Sequence, residues 1–280
     1  MTTITPNPTA ARTVQRAPAS ASTLGFGGVL RSEWIKLRSL RSTVWSYLIV
    51  IVVSLGMAAL MSSTVQASPD GTFFADGATL IAQASTFGIV FGQLVVAVLG
   101  VLVISGEYST GMIRSTLTAV PGRLSALWAK AAVLFAATLT VGLISTFGAY
   151  LIASPILADK GVTAHLLDDG VIIALVGGAL YLAMVSVVAL GLGAMLRSSA
   201  GGVAAALGLI LLLPVVLQLI PAQWATDALP YAISTAGMNM FSMTSFSSEP
   251  IDNLKDVLIV LGWMAVSLGG AAVLLKRRDA

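Results

Sequence analysis

Few residues in this chain could do chemistry, and what they leave possible is quickly narrowed. Cysteine is absent and histidine occurs once, at His165, which excludes thiol nucleophiles, disulfides and Cys- or His-rich metal sites. Gly106 to Gly111 (GEYSTG) matches the opening of a phosphate-binding loop, but Met112 stands where a lysine must meet the phosphates, and no strand precedes it. No G-x-S-x-G elbow accompanies His165, so a serine-hydrolase triad has no support. Asp168 and Asp169 precede an apolar run and suit a helix N-terminus, where they would cap the backbone and meet the dipole; a cation site is the second reading. Glu107 has no acidic partner within reach in sequence, so paired-carboxylate catalysis is not supported either. What remains is a polar island, residues 105–130, carrying Glu107, Arg114, Arg123 and Lys130. It reads as a helical piece from Glu107 to Leu117, followed by a Pro121-Gly122 break.

The elements that must position this island are apolar. Of 280 residues, 57% are hydrophobic and 10% charged, with a mean hydropathy of +0.94. Soluble domains carry roughly 25% charge, so the composition argues for a membrane chain. Six runs approach the roughly 20 residues that cross about 30 Å of hydrocarbon as a helix: 44–61, 80–104, 126–152, 171–196, 201–220 and 257–275. The expected fold is therefore an all-α membrane protein with six transmembrane helices. Apart from Lys160 and Lys255, every Lys and Arg falls before the first run, between the second and third or at the very start of the third (Lys130), between the fourth and fifth, or after the sixth. The positive-inside rule then places both termini and the Glu107 segment in the cytoplasm. The pI near 9.4 reflects topology, and no nucleic-acid partner is expected.

Residues 1–23 are rich in Thr, Ala, Pro and Ser and should form a disordered tail. They lack the apolar core of a signal peptide, so the first span is expected to start insertion uncleaved. From Leu24 to Arg41, Phe26, Leu30, Trp34 and Leu37 recur on one side of a helix with Arg31 and Arg38 beside them. This predicts an amphipathic helix in the inner interface, with a plain basic flank as the alternative. A Pro69-Asp70-Gly71 turn marks the first outer loop. Gly and Ala in spans two to five predict close helix packing. Pro155 is expected to end the third span and Pro214 to kink the fifth. The segment 221–256, with Trp224, Tyr231, Phe241 and Phe246, predicts either short helices that dip back or lid the bundle, or aromatics at headgroup depth.

No Asp, Glu, Lys, Arg or His lies inside the six runs away from their ends, which argues against a proton-coupled pump or a charge-lined channel. The embedded polar side chains are Gln83, Gln93, Ser145, Tyr150, Tyr181, Ser186 and Gln218. Interhelical hydrogen bonding is their default use, and lining a substrate path is the alternative.

Two motifs carry a resemblance. SEWIKLRSLRSTVW, residues 32–45, resembles the amphipathic connecting helix of ABC-2 type (type-2 ABC exporter) permeases. SGEYSTGMIRSTLTAVPGRLSALWAK, residues 105–130, resembles the link between their second and third spans, with Glu-Tyr, a following Gly, a Pro-x-Arg turn and a Lys. The likeness covers residues 24–280, taken as one transmembrane domain. It implies a dimeric permease of the bacterial plasma membrane, driven by a separate ATPase that carries ATP and Mg; no cofactor or metal is expected on this chain. It further implies that Glu107, Tyr108, Gly111, Met112, Ile113 and Arg114 form a cytoplasmic coupling helix docking on the ATPase. Glu33, Trp34, Lys36 and Arg38 would lie nearby on the connecting helix, and Glu107 could pair with one of its bases. The second permease could be an identical or a homologous chain. The substrate expected from the apolar walls is amphiphilic or hydrophobic (an antibiotic, drug, peptide or lipid), with efflux and multidrug resistance as the physiological setting. A non-transporting scaffold or regulatory subunit is the alternative, and a membrane-embedded enzyme ranks behind both.

Overall fold

The computed structural model describes residues 25–66, 73–109, 111, 123–168, 170–243 and 253–277. The tail 1–23 and the turn at 69–71 lie outside them. Among the described residues every regular element is helical. A first helix, α1 (Phe26–Ser39), is separated from α2 (Arg41–Thr64) by one extended residue, Leu40. Then follow α3 (Gly77–Thr86), α4 (Ile89–Ser109), α5 (Arg123–Ala158) and α6 (Val171–Leu196). The chain continues through α7 (Ser199–Leu207), α8 (Leu213–Leu219), α9 (Gln223–Ala228), α10 (Ile233–Asn239) and α11 (Asn253–Arg277).

Among the described residues, six segments are long and apolar enough to cross a membrane: Arg41–Thr64, Gly77–Ser109, Leu124–Ala158, Val171–Leu196, Ser199–Leu219 and Asn253–Arg277. They match the six apolar runs but mostly extend past them. Hydropathy fades at the ends, while helical hydrogen bonding continues into polar residues such as Glu107 and Ser125. Six crossings return the chain to the end where it began. That end gathers Arg31, Lys36, Arg38, Arg41, Lys130, Arg197, Lys276 and Arg277, and is called the basic end below.

The bundle is built around α6, which packs against α4, α5 and α11. Hydrophobicity does not drive helices together in lipid, so close approach requires small residues. A Cβ at Gly100 of α4 would collide with the Ser186 carbonyl oxygen of α6, and one at Gly191 of α6 would collide with Ser267 Oγ of α11. Only hydrogen fits at either crossing. Ser267 Oγ also donates to the Val188 carbonyl (2.6 Å), adding a polar tie at the second one.

Several details depart from the sequence reading. The second span is two helices, interrupted at Phe87 and Gly88, where a Cβ at Gly88 would run into Ser54 Cα of α2. Pro155 does not end the third span; it sits inside α5, which runs three residues further to Ala158. A proline inside a helix forfeits one backbone bond and bends the axis, and the apolar residues around it keep the helix going. Pro214 follows a π-helical turn, Gly208–Leu212, and stands in the first turn of α8. The Leu213 N–H bonds the Gly208 carbonyl, five residues back, so the helical ladder of the fifth span is irregular where the proline enters.

Asp168 is not a helix cap. Its carboxylate accepts from the His165 backbone N–H (2.7 Å) within the preceding loop, while the N-cap of α6 is Gly170 at φ 88°. Asp169 lies outside the described residues. Asp76 does cap a helix by its side chain: it accepts from Thr79 N–H (3.2 Å) and Thr79 Oγ1 (2.6 Å) and so starts α3.

The segment between the fifth and sixth spans does lid the bundle. Ile233, Ala236, Met240 and Phe241 are buried in the same apolar cluster as Tyr181 and Val185 of α6. Gly237 permits this, since a Cβ there would collide with the Tyr181 ring. Trp224 and Tyr231 stay exposed at the rim, which keeps the headgroup-depth reading for those two; Phe246 lies outside the described residues.

Candidate functional site: a four-charge cluster at the basic end

The face that α1 turns to the bundle is Val29, Glu33 and Leu37, at helical spacing of four. That differs from the expected stripe. Leu37 is shared with it, but Phe26 and Trp34 are exposed on a neighbouring face together with Ile35, where an apolar solvent would cover them. Glu33 belongs to the buried face because its partners are there.

Those partners come from two other helices. Lys130, in the second turn of α5, donates to Glu33 Oε2 at 2.5 Å and to Glu107 Oε1 at 2.9 Å. Lys36, one turn along α1, donates to Glu33 Oε1 at 2.8 Å and to Glu107 Oε1 at 3.1 Å. Glu107 lies in the last turn of α4. Two carboxylates and two ammoniums therefore form one neutral cluster that ties α1 to the end of the second span and the start of the third. Glu33, Glu107 and Lys130 are 3%, 5% and 5% exposed. Single charges so deeply buried would be prohibitive, and only their mutual pairing and hydrogen bonding make the arrangement tenable.

The electrostatics of α1 agree. Burial alone would raise the Glu33 carboxyl, but attraction and hydrogen bonding from Lys130 and Lys36 outweigh it and hold the group below its ordinary value. Burial would likewise lower the Lys36 ammonium, yet bonding to Glu33 and the charge of Glu107 keep it above its ordinary value. Both shifts favour the charged forms.

Beside the cluster, the same end is closed by the connection between the fourth and fifth spans. The Arg197 guanidinium stacks over the Tyr108 ring at 5.2 Å, a cation–π contact. Arg197 adopts a left-handed conformation (φ 51°) to turn the chain there. Ser199 Oγ donates to Ser105 Oγ (2.9 Å), and Ser198 caps α7 through the Gly201 N–H. The end of α4 is thus gripped from α1, α5 and the 197–199 turn together.

The sequence-selected residues are distributed as follows. Glu107 and Tyr108 lie in the last turn of α4, not at the start of a new helix, and Gly111 at φ 70° marks its departure from helical geometry. Met112, Ile113 and Arg114, and the rest of the expected helical piece, lie outside the described residues. Glu33 and Lys36 join Glu107, whereas Trp34 and Arg38 are exposed on other faces of α1. Lys130 belongs to the motif, but sequence reasoning missed its place at the centre of the cluster; its spacing from Glu107 within a motif that also supplies a turn was the available signal.

Of the embedded polar groups, two are joined. Tyr181 O–H donates to Gln93 Oε1 (2.5 Å), and Gln93 Nε2 donates to the Val90 carbonyl (3.1 Å), all within the core. Ser186 donates to the Ala183 carbonyl of its own helix. Ser145 is buried with its hydroxyl unpartnered among the described residues, and Tyr150 is half-buried beside the apolar cluster at the far end. Gln83 is half-buried on α3 and Gln218 is exposed on α8.

Compared with known families, residues 29–214 match the model described as ABC-2 family transporter protein. No curated protein matches the chain. The matched stretch begins within α1 and runs through the first residues of α8, so it contains every member of the charge cluster.

Proposed function

The chain belongs to the ABC-2 family of transporter proteins, and on that premise we propose that it is the permease subunit of an exporter driven by a separate ATP-binding subunit. The observation that carries the reading is the four-charge cluster. Glu107, one helical turn before Gly111, is held by Lys36 and Lys130, so force applied to the segment after α4 reaches α1, the second span and the third span at once.

In this reading Glu107 is a positioning residue. The contact with the ATPase falls to exposed Gly111 and to the residues after it, Met112, Ile113 and Arg114, with Tyr108 and its Arg197 partner bracing the base. ATP and Mg bind on the partner. Closure of the ATPase shifts a permease dimer from inward- to outward-facing, which requires that the nucleotide-bound partner bind the two states with different affinity. Both termini face the cytoplasm of a bacterial cell, a reading that the positive-inside rule supports through the basic end. The substrate is amphiphilic or hydrophobic, because the spans offer apolar walls with few polar groups.

The experiment is co-purification of the chain with its Walker-motif ATPase, followed by ATP hydrolysis and transport in proteoliposomes. Met112→Asp with Ile113→Asp should abolish co-purification and stimulated hydrolysis while leaving the melting temperature of the isolated chain unchanged. A complex that assembles and turns over normally with both substitutions would remove the coupling assignment. Stable assembly without ATP-dependent flux for any amphiphile tested would favour the scaffold reading instead.

A further inference from the structure

A cavity of about 520 Å³ lies against the charge cluster, between α1, α2, α4 and α5. The volume is within the roughly 300–1,000 Å³ of small-molecule sites. Its walls are mainly aliphatic, from Leu40, Leu99, Leu102 and Val103. What an occupant meets at the polar end is set by access. Glu33, Glu107 and Lys130 line the cavity, but their side chains are 3%, 6% and 5% exposed and are engaged with one another. Lys36 is the member that can be reached, with 31% of its side chain exposed. Two of its three N–H groups go to Glu33 and Glu107, which leaves one to give. Ser39 and Ser42, exposed at the corner between α1 and α2, also line the cavity.

The reachable polar groups are therefore one ammonium and two hydroxyls, with no carboxylate among them. The surrounding charge has the same sign. The cluster behind Lys36 is neutral and Glu33 is the one acid in α1 and α2, so exposed Arg31, Arg38 and Arg41 leave this corner positive. Such a corner selects an anion, and the aliphatic walls select one that carries a hydrocarbon chain. A zwitterionic headgroup fits worse, because its cation enters a positive field with no carboxylate within reach. The opening points to a lipid. Leu40 and Leu102, which line the cavity, are exposed, and α1 presents exposed Phe26, Trp34 and Ile35 at the same end, where they require an apolar surrounding.

We propose that this cavity binds an anionic phospholipid, its phosphate meeting Lys36 at the Ser39–Ser42 corner and an acyl chain lying along Leu99, Leu102 and Val103. The buried part of the cluster takes no part in the contact; it holds Lys36 in place with one N–H turned outward. The inference goes beyond the coupling reading and does not rest on it, since binding is measured on the permease alone.

The test is native mass spectrometry of the full chain in non-ionic detergent, titrated separately with phosphatidylglycerol, phosphatidylethanolamine and phosphatidylcholine of matched acyl chains. The first phosphatidylglycerol should bind about tenfold or more tightly than either zwitterion, a gap of the size one charge-assisted hydrogen bond supplies. Ser42→Glu sets a like charge at the mouth, in the first turn of α2, where an acid suits the helix and leaves the fold intact. Leu102→Trp fills the apolar side and touches no charge. Each should bring the preference to within about twofold. Ala200→Glu is the control: it adds the same charge at the second residue of α7, exposed at the basic end and outside the cavity lining, and should keep the preference. Phosphatidylethanolamine or phosphatidylcholine binding the unaltered chain as tightly as phosphatidylglycerol, or a preference that survives in Ser42→Glu or Leu102→Trp, would overturn the proposal. Loss of the preference in Ala200→Glu as well would reduce it to general attraction toward a basic surface and overturn it too. Displacement of phosphatidylglycerol by inorganic phosphate would assign the corner to a free anion and overturn the lipid assignment.

Discussion

Lys130→Gln is the perturbation that most directly tests the cluster. Lys130 Nζ bonds both carboxylates, at 2.5 and 2.9 Å, and its side chain is 5% exposed. Replacing it leaves Glu33 and Glu107 buried with only Lys36 between them, and Lys36 reaches Glu107 at 3.1 Å. Breaking a buried pair by removing one partner costs about 3–5 kcal/mol, most of it the penalty of an uncompensated charge. Two charge-assisted hydrogen bonds at roughly 1.5–3 kcal/mol each give about 3–6 kcal/mol, an overlapping range reached independently. At about 2–4 °C per kcal/mol for chains above 150 residues, the melting temperature should fall by roughly 6–20 °C. The control is Lys130→Gln with Glu33→Gln, which leaves one neutral Lys36–Glu107 pair and two amides able to bond each other; it should recover at least half of the loss. Intrinsic fluorescence of the detergent-solubilised chain during a thermal ramp reads both, with dye-free light scattering to separate aggregation from unfolding. A shift under about 2 °C for the single variant would contradict the buried-pair magnitude. A double variant no better than the single one would refute the reasoning that charge imbalance, not lost packing, sets the effect.

Other expectations follow from the same geometry. Tyr181→Phe leaves Gln93 Oε1 buried without its donor and should destabilise by about 1–3 kcal/mol, read as a lower melting temperature; Tyr181→Phe with Gln93→Leu should recover most of it. Gly191→Val places its side chain where Ser267 stands and should cost about 1–3 kcal/mol or more, whereas Gly27→Val meets open space and should leave packing between spans intact, compared by the same ramp. Because Glu33 titrates below its ordinary value of 4.5, its contribution is complete above that value and is lost as pH falls through the depressed one. Because Lys36 titrates above 10.5, its contribution is complete below that value and is lost as pH rises through the raised one. The contribution of Glu33 and Lys36 to the melting temperature should therefore be flat between roughly pH 5 and 9 and fall away only under acid or strong alkali, read by the same ramp across pH.

Much of the fold was legible because membrane physics leaves few options. A helix must satisfy its own backbone, so six apolar runs became six spans with correct centres. Glycine-rich crossings were legible as a class, though not which pairs meet: Gly100 with Ser186 and Gly191 with Ser267 depend on helix rotation, which composition does not encode. Proline is less legible than its reputation as a helix breaker suggests. Its effect depends on the surrounding ladder: α5 runs on past Pro155, whereas a π-helical turn leads directly into the turn that holds Pro214. For the site, the motifs pair Glu107 with a basic residue of the first helix, and Lys36 fills that part. The buried face of α1 escapes sequence reasoning because a hydrophobic periodicity scores Glu33 as polar and therefore outward. Its burial follows from Lys130, 97 residues away. Asp76 escapes for the reverse reason: three acidic residues near helix starts look alike, and only local backbone geometry distinguishes a cap from a loop tie.

The separation between Glu33 and Lys130 has a consequence for how the molecule is made. A ribosome delivers α1 long before it delivers the lysine that neutralises it, so during synthesis Glu33 must wait with only Lys36, on its own helix, for company. Helix α1, made before the first span, thus finds its seat only once the third hydrophobic crossing has entered the bilayer. Until then α1 is tethered but unlatched, and a chain interrupted before that point keeps Glu33 without its Lys130 partner.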